Sequence, residues 1–536
     1  MKRYISLILL LIIPLAVEAQ KPALSLEELM QRRKPNILFV VAQELSCTLG
    51  CYGDEIASTP NIDNFAKESI LHSEMFSTIS APSPALYALF TGRHPSTDGA
   101  NYCASKPFNE HLGTVAPNGV RSFSEYLRRY GYYCCSNLKD DAALTLPSAS
   151  WDDNAFEAHW RNAPEDKPFF ALLELKGARE NYVINYRGGI SNEQLASMRV
   201  PPYYPDTKAV RETLARHYNN LKKIDAQFGA ILSELDSSNR ANNTVVIFLS
   251  TCGGPLPRVK YELTDEATRV PFMIRYPDGK DAGSRNSDMM MCVDVAPTLL
   301  SLVGLRSPDF MLGVAQHGIH KYPDKRDFIY GAIDRVGMMS VKRGSIRNER
   351  YLYIRNYMPQ QSIYRPSPYR RKFDMVKQME RMYKNDKLNE IQASWFVEPA
   401  PMEELYDRRD DPYQLYNLAG QERQERTLKR MRESYQQRWV TNFNMAWDSN
   451  GDKYFAQLMW PDDKTAECEK VRWMTMDGMI YVTNNLSHYS ASYRNEGEKS
   501  WHLYTEAVEM EQGKALEIML ERIGYKPTIA TIPSDN

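Results

Sequence analysis

Four short apolar runs restrict the fold of this chain more than any other feature. They are Asn36 to Val41, Phe169 to Leu175, Val245 to Leu249 and Pro271 to Tyr276. Strands that are apolar on both sides must be covered on both faces, which is the habit of a mostly parallel sheet between helical layers. Helical patterns fill the intervals. From Val210 the apolar positions Leu214, Tyr218, Leu221, Ile224, Phe228, Ile231 and Leu235 keep a helical period for about seven turns. Thr59-Pro60 reads as a cap followed by proline at the first helical position, with Ile62, Phe65, Ala66 and Ile70 as the inner face. The expected class is α/β, a large mostly parallel sheet sandwiched by helices over residues 35–320.

The character changes near residue 320. Tyr351 to Ile354 reads as a strand, and helices are expected at about Lys372 to Ile391 and Gln421 to Trp439. Together they predict a smaller α+β subdomain over 321–450. Past Asp452, Trp, Tyr, Met and Thr alternate with polar residues through Met479 to Val482 and Trp501 to Tyr504, predicting a small β-rich domain over 452–536.

At the N-terminus Lys2 and Arg3 precede an apolar run from Ile5 to Val17, and Val17-Glu18-Ala19 ends in a small residue. That is the pattern of a secretory signal peptide over 1–19. The run is short for a membrane span, which needs roughly 20 apolar residues. The expectation is export from a bacterium to the periplasm or beyond, without a membrane span after cleavage. A net charge of -1 over 536 residues gives no reason to expect a nucleic-acid partner. The eight cysteines match no zinc spacing and are read chiefly as buried small hydrophobes, with one or two bridges permitted by export.

Six motifs in order carry a resemblance. They are Leu49-Gly50-Cys51-Tyr52-Gly53 with Thr59-Pro60-Asn61-Ile62-Asp63; Phe90-Thr91-Gly92-Arg93; Cys252 to Arg258 leading to Lys260; Arg269-Val270-Pro271; Asp294 to Leu300; and Glu404-Leu405-Tyr406-Asp407 with Asp411-Pro412-Tyr413 and Asn417-Leu418. Over residues 35 to 445 the chain resembles the sulfatase family of the alkaline-phosphatase superfamily, in the branch that looks like heparan N-sulfatase. The resemblance implies a divalent cation, usually calcium, held by paired aspartates after the first strand and by an Asp-Asn or Asp-His pair after a late one. It also implies a cysteine or serine oxidised to formylglycine as nucleophile, with arginine and lysines around the sulfate.

On the matching positions this sequence departs from that pattern. Gln43 and Glu44 stand for the first metal pair, Thr251 and Cys252 for the second. One formal charge remains of the set, and a thiol is a poor calcium ligand, so no cofactor is expected. Pro82 falls at the nucleophile and Leu86 at the motif's arginine; Ser80 and Ser83 offer a substitute only if the register slips by two residues. Lys139, Arg179 and Lys260 match polar positions of the site. They form either a convergent positive pocket or merely ion-paired survivors.

Outside the motifs, His94, His159 and His217 are expected in packing or on helix surfaces. The cluster Tyr364, Arg365, Tyr369, Arg370, Arg371 and Lys372 is read as a solvated basic face, with sulfated-sugar stacking as the alternative. Trp501 and Tyr504 suit a carbohydrate platform or an aromatic core. The reading is a catalytically inactive sulfatase-like protein that binds sulfated glycan or a partner. The alternatives are an active sulfatase on glycosaminoglycan or a related polysaccharide, and a phosphatase or phosphodiesterase.

Overall fold

A computed structural model describes residues 34–103, 113–138, 144–336, 339–440, 457 and 459–534. The expected signal segment lies outside these residues. The main sheet is built from β1 (Asn36–Ala42), β2 (Ile70–His72), β3 (Tyr133–Ser136), β4 (Phe169–Leu175), β5 (Thr244–Ser250), β6 (Phe272–Arg275) and β7 (Arg285–Asn286). Its order is β3-β4-β1-β5-β6-β2-β7. The four strands from β3 to β5 run parallel, whereas β6 is antiparallel to both β5 and β2. All four apolar runs of the sequence are strands of this sheet.

Alternation along β1 sorts the helices onto two faces. Ile37, Phe39 and Val41 pack with residues of α2 (Pro82–Thr91), α3 (Phe123–Arg129) and α6 (Val295–Leu302). Leu38 and Val40 pack on the other face with α1 (Pro60–Lys67) and the 29-residue α5 (Lys208–Asp236). Every residue of β1 is buried, so a polar group introduced there would have no water to bond.

The ends of α1 depart from the sequence pattern. Thr59 precedes α1 but does not cap it; its hydroxyl accepts from the Gly50 amide at 3.2 Å and donates to Asp63 at 3.2 Å. Ile70 belongs to β2 rather than to the helix.

A second, antiparallel sheet follows, with β8 (Ile329–Val336), β9 (Met339–Arg347), β10 (Tyr351–Asn356) and β11 (Glu403–Asp407) in sequential order. The helix expected over 372–391 is two pieces, α7 (Asp374–Lys384) and a single turn at Glu390–Ala393. Asn385 to Asn389 separate them, with Asp386 in the left-handed region at φ 52°. The helix expected to Trp439 is regular only as α8 (Glu425–Ser434), its end widening into a π turn.

The C-terminal β region is two small sheets around Ile480, Ala491, Tyr504, Leu516, Ile518 and Ile532. Tyr504 is therefore core, and its hydroxyl accepts from the Val482 amide at 2.9 Å. Trp501 lies outside the short strand His502–Leu503, with Arg494 4.4 Å from its ring centre. Ser490 donates to the buried Glu125 carboxylate at 2.5 Å, and the Ser148 amide donates to Glu521 at 3.0 Å, tying this region to the main domain. Among the described residues no helix is long and apolar enough to cross a membrane. Cys47, Cys51, Cys134, Cys135, Cys252, Cys292 and Cys468 are free thiols.

Burial lowers the pKa of several histidines, His317 among them. It depresses the pKa of His72 to about 4, of His94 to about 3 and of His217 to about 4. The unfolded chain binds protons at these positions from about pH 6.5 downward, while the folded chain does not. Stability is therefore complete above pH 6.5 and declines as pH falls toward 4. The urea midpoint should drop steadily between pH 7 and 4.5, and a flat profile across that window would contradict the buried neutral histidines.

Candidate functional site

The register of the sheet decides what meets at its carboxyl edge. Ala42 of β1 pairs with Ser250 of β5, so Gln43-Glu44 and Thr251-Cys252 leave the sheet side by side. All four are buried. The sequence placed them at one site, and the fold brings them together.

What each contacts is different. The Gln43 side-chain amide donates to Glu174 at 3.0 Å. Glu44 turns through a left-handed backbone, φ 62°, and its carboxylate takes the Glu180 amide at 2.7 Å and the Lys260 ammonium at 2.9 Å. Lys260 also donates to the Glu180 carboxylate at 2.8 Å. The ammonium thus lies between two buried carboxylates, one from the β1 loop and one from the first residue of α4 (Glu180–Ile184). Burial alone would lower the Lys260 pKa, but Glu44, Tyr261 and Glu180 outweigh it and hold the group well above its ordinary value. Lys260 is charged and internally neutralised.

The loop that carries Lys260 is also unusual in conformation. Arg258 and Tyr261 on either side both adopt φ 66°. Non-glycine residues in this region cost roughly 1 kcal/mol or more and persist only where packing fixes them. Here Arg258 is anchored to the Ile391 carbonyl at 2.9 Å, and the Tyr261 amide donates to the Ser80 carbonyl at 3.0 Å.

On the far side the site is filled with hydrocarbon. Cys252 packs with Ile79, Ala81, Ala85, Leu263 and Ile333, and burial pushes its thiol up to about 12. Thr251 faces the same thiol, with its hydroxyl 3.9 Å from the sulfur. Pro82 is the first residue of α2, where its missing N–H costs nothing, and Ala81 before it offers no side-chain cap. Leu86 points from α2 into the core of the main sheet. Ser80 is fully buried, its hydroxyl spent on a long bond of 3.4 Å to the Val259 carbonyl.

A calcium site needs several oxygens free to converge on one point. Gln43 is bound to Glu174 through its amide nitrogen and leaves one buried, unpartnered oxygen, Glu44 is bound to Lys260 and the Glu180 amide, and Cys252 lies in an apolar cluster. This donor set does not fit the ion as arranged. Among the described residues no cluster of three or more His, Cys, Asp or Glu has the geometry to hold a metal.

Arg179 lies beside this cluster and is also paired, donating to Glu174 at 2.5 Å. Lys176 bonds the same carboxylate. Lys139 lies outside the described residues. Of the two possibilities left open by sequence, a bare positive pocket or ion-paired survivors, Arg179 and Lys260 take the second form. Their partners carried weaker signals. Glu174 was detectable as an acidic residue inside an otherwise apolar strand, and Glu180 stood next to a site position.

The basic cluster is a solvated face only in part, with Tyr369, Arg371 and Lys372 exposed and Tyr364 buried. Arg365 and Arg370 are buried. Arg370 lies 5.4 Å from the Trp395 ring and 5.7 Å from that of Tyr261, and reaches the Lys260 carbonyl at 3.5 Å. Arg371 pairs with Glu380 at 3.0 Å. This segment clamps the Lys260 loop from the second domain.

Comparison with known proteins agrees with the geometry of the fold. The family model "Sulfatase" matches residues 35–141 and 149–305, and that of the C-terminal region of N-sulphoglucosamine sulphohydrolase matches 258–398. An ulvan-active sulfatase of Formosa agariphila is 32% identical over 550 residues, covering 94% of this chain and 92% of the relative. Human N-sulphoglucosamine sulphohydrolase is 23% identical over 53% of this chain and 64% of its own length. Among solved structures, a 2-O glycosaminoglycan sulfatase superposes with a TM-score of 0.55 at 17% identity, covering 78% of this chain and 96% of the other. A protein solved with its substrate D-glucosamine-2-N,6-O-disulfate gives 0.53 at 15% identity, over 77% of this chain and 99% of the other. The chain belongs to the sulfatase family.

Proposed function

We propose that this protein is an exported sulfatase-family member that binds sulfated polysaccharide without hydrolysing it. The observation that carries the reading is the Lys260 ammonium held between Glu44 and Glu180. A tethered monovalent cation bridges the two carboxylates and offsets one of their two charges, but it supplies no Lewis acidity and no free coordination position. The nucleophile position supports the same conclusion. Pro82 has no nucleophilic atom, and Ser80 is buried without a base in contact.

Its substrate class is suggested by the relatives. The Formosa agariphila protein acts on ulvan by its name, and the structural neighbours include a glycosaminoglycan sulfatase. The same relative favours a second reading, an active sulfatase with an unfamiliar catalytic set, because its identity extends over nearly the whole chain.

One assay separates the two. Purified mature protein is incubated with ulvan and with heparan sulfate, with and without calcium, while free sulfate and binding are both measured. Binding without sulfate release is expected. Release above background that disappears with a chelator would establish the active reading instead. The melting temperature should move by less than about 1 °C between excess calcium and excess chelator, since a ligand that does not bind the folded state does not stabilise it.

The internal ion cluster also makes a stability prediction. Lys260→Met leaves two buried carboxylates facing each other and should destabilise the fold by about 3–5 kcal/mol in urea unfolding. A loss below about 1 kcal/mol would mean that water or solvent cations already share those carboxylates.

A further inference from the structure

We propose that the cleft along the edge strand β7 is a binding site for the sulfate groups of an anionic polysaccharide. The inference rests on the reading of this protein as a glycan binder and gives that binding a location away from the family's own pocket. In the old pocket the described cations are spent: Arg179 on Glu174, and Lys260 on Glu44 and Glu180. The β7 edge lies four strand spacings from β1, about 19 Å along the sheet. It borders the most voluminous of the described clefts, about 450 Å³.

Two loops meet over this cleft, residues 280–288 and 317–325. Four cationic side chains line it, Lys280, Arg285, Lys321 and Lys325, against the carboxylates Asp281 and Asp288. Lys325 is paired with Asp288 at 2.6 Å, and one guanidinium nitrogen of Arg285 donates to the Cys51 carbonyl at 2.6 Å. Neither Lys280 nor Lys321 has an ion-pair partner among the described residues. Both are exposed and line the same cleft, with His317 on its floor.

The floor is built to stay neutral beneath them. His317 is buried, its Nδ1 3.1 Å from the Tyr276 hydroxyl and its Nε2 2.7 Å from Nε2 of His72. One proton serves the contact between the two rings, and burial lowers the pKa of both, so each imidazole is uncharged at neutral pH. The arrangement is an uncharged base with two free ammoniums and a guanidinium at the rim, beside the carboxylate of Asp281. Such a rim attracts a diffuse monovalent oxyanion such as an ester sulfate.

The polar lining favours a saccharide as the carrier of that sulfate. Ser284, Ser287 and Asn286 place hydroxyl and amide groups between the cations, the usual partners of sugar hydroxyls. The one aromatic ring of a Phe, Tyr or Trp among the described lining residues, Tyr276, is buried, so they offer no exposed ring on which nucleic-acid bases would stack.

The test is calorimetric titration of dextran sulfate oligosaccharide into the full-length mature protein at two salt concentrations. Unsulfated dextran is the control, and the variants are Lys280→Ala with Lys321→Ala, Lys321→Glu, and Arg179→Ala. Wild type is expected to bind dextran sulfate and not dextran. The double variant and the charge reversal should each weaken binding at least tenfold and flatten its salt dependence, while Arg179→Ala stays within twofold. If the lysine variants bind as wild type does, this site is wrong and the glycan-binding reading survives. If wild type binds neither polymer, both fall; equal binding of dextran would overturn sulfate recognition.

Discussion

The pairing of Ala42 with Ser250 across the two central strands sets the geometry on which the rest of the site depends. It brings two loop starts to the same point at the carboxyl edge of a parallel sheet, where backbone carbonyls and any side-chain charges face one another across a few ångströms. Whatever stands at those positions must be satisfied locally, because β1 and β5 are wholly buried and water is excluded. Here the solution is a salt-bridged cluster on one side and hydrocarbon on the other. The left-handed turns at Glu44, Arg258 and Tyr261 are the backbone cost of aiming those side chains at one another.

The cluster is maintained from three directions. Glu44 comes from the β1 loop, Glu180 from the start of α4, and Lys260 from the loop after β5. Arg370 then reaches across from the second domain to the Lys260 carbonyl, stacked among Tyr261, Tyr364 and Trp395. A second ionic group, Arg343 with Glu262 and Glu404, lies in the same interface, with the Trp395 indole donating to Glu262 at 3.0 Å. The interface between the domains therefore combines apolar clusters, such as Leu263 with Ile333 and Leu352, with buried ionic and aromatic contacts. Such contacts fix orientation more than they add net stability, since the desolvation of each charge offsets much of its attraction.

The sheet was legible in the sequence because its signal is local: a strand buried on both faces is a run of apolar residues wherever it occurs. The order of the motifs carried the family for the same reason. The site was legible only as a set of positions. Lys260 reaches Glu44 across 216 residues and Glu180 across 80, and no periodicity relates residues so far apart. Arg370 misled because charge density in a sequence implies solvent, whereas aromatic rings and the Arg365 carbonyl surround its guanidinium here. Thr59-Pro60 misled on a smaller scale, since a hydroxyl at a helix start caps the helix only if no nearer partner competes, and here Gly50 and Asp63 do.

A site of converging carboxylates is held together by its ion; without the ion the like charges repel, and fold stability becomes tied to metal concentration. Gln43 and Glu44 leave one acid at the first pair of positions, and Lys260, at a position that matches the family's polar set, bonds it at 2.9 Å. The fold carries a cation for that acid on a covalent tether. Under the proposed reading, independence from the ion and loss of metal-assisted hydrolysis arise together from that arrangement of charge. On that reading the sheet edge serves the scaffold, with Gln43, Glu44, Thr251 and Cys252 buried as part of the core.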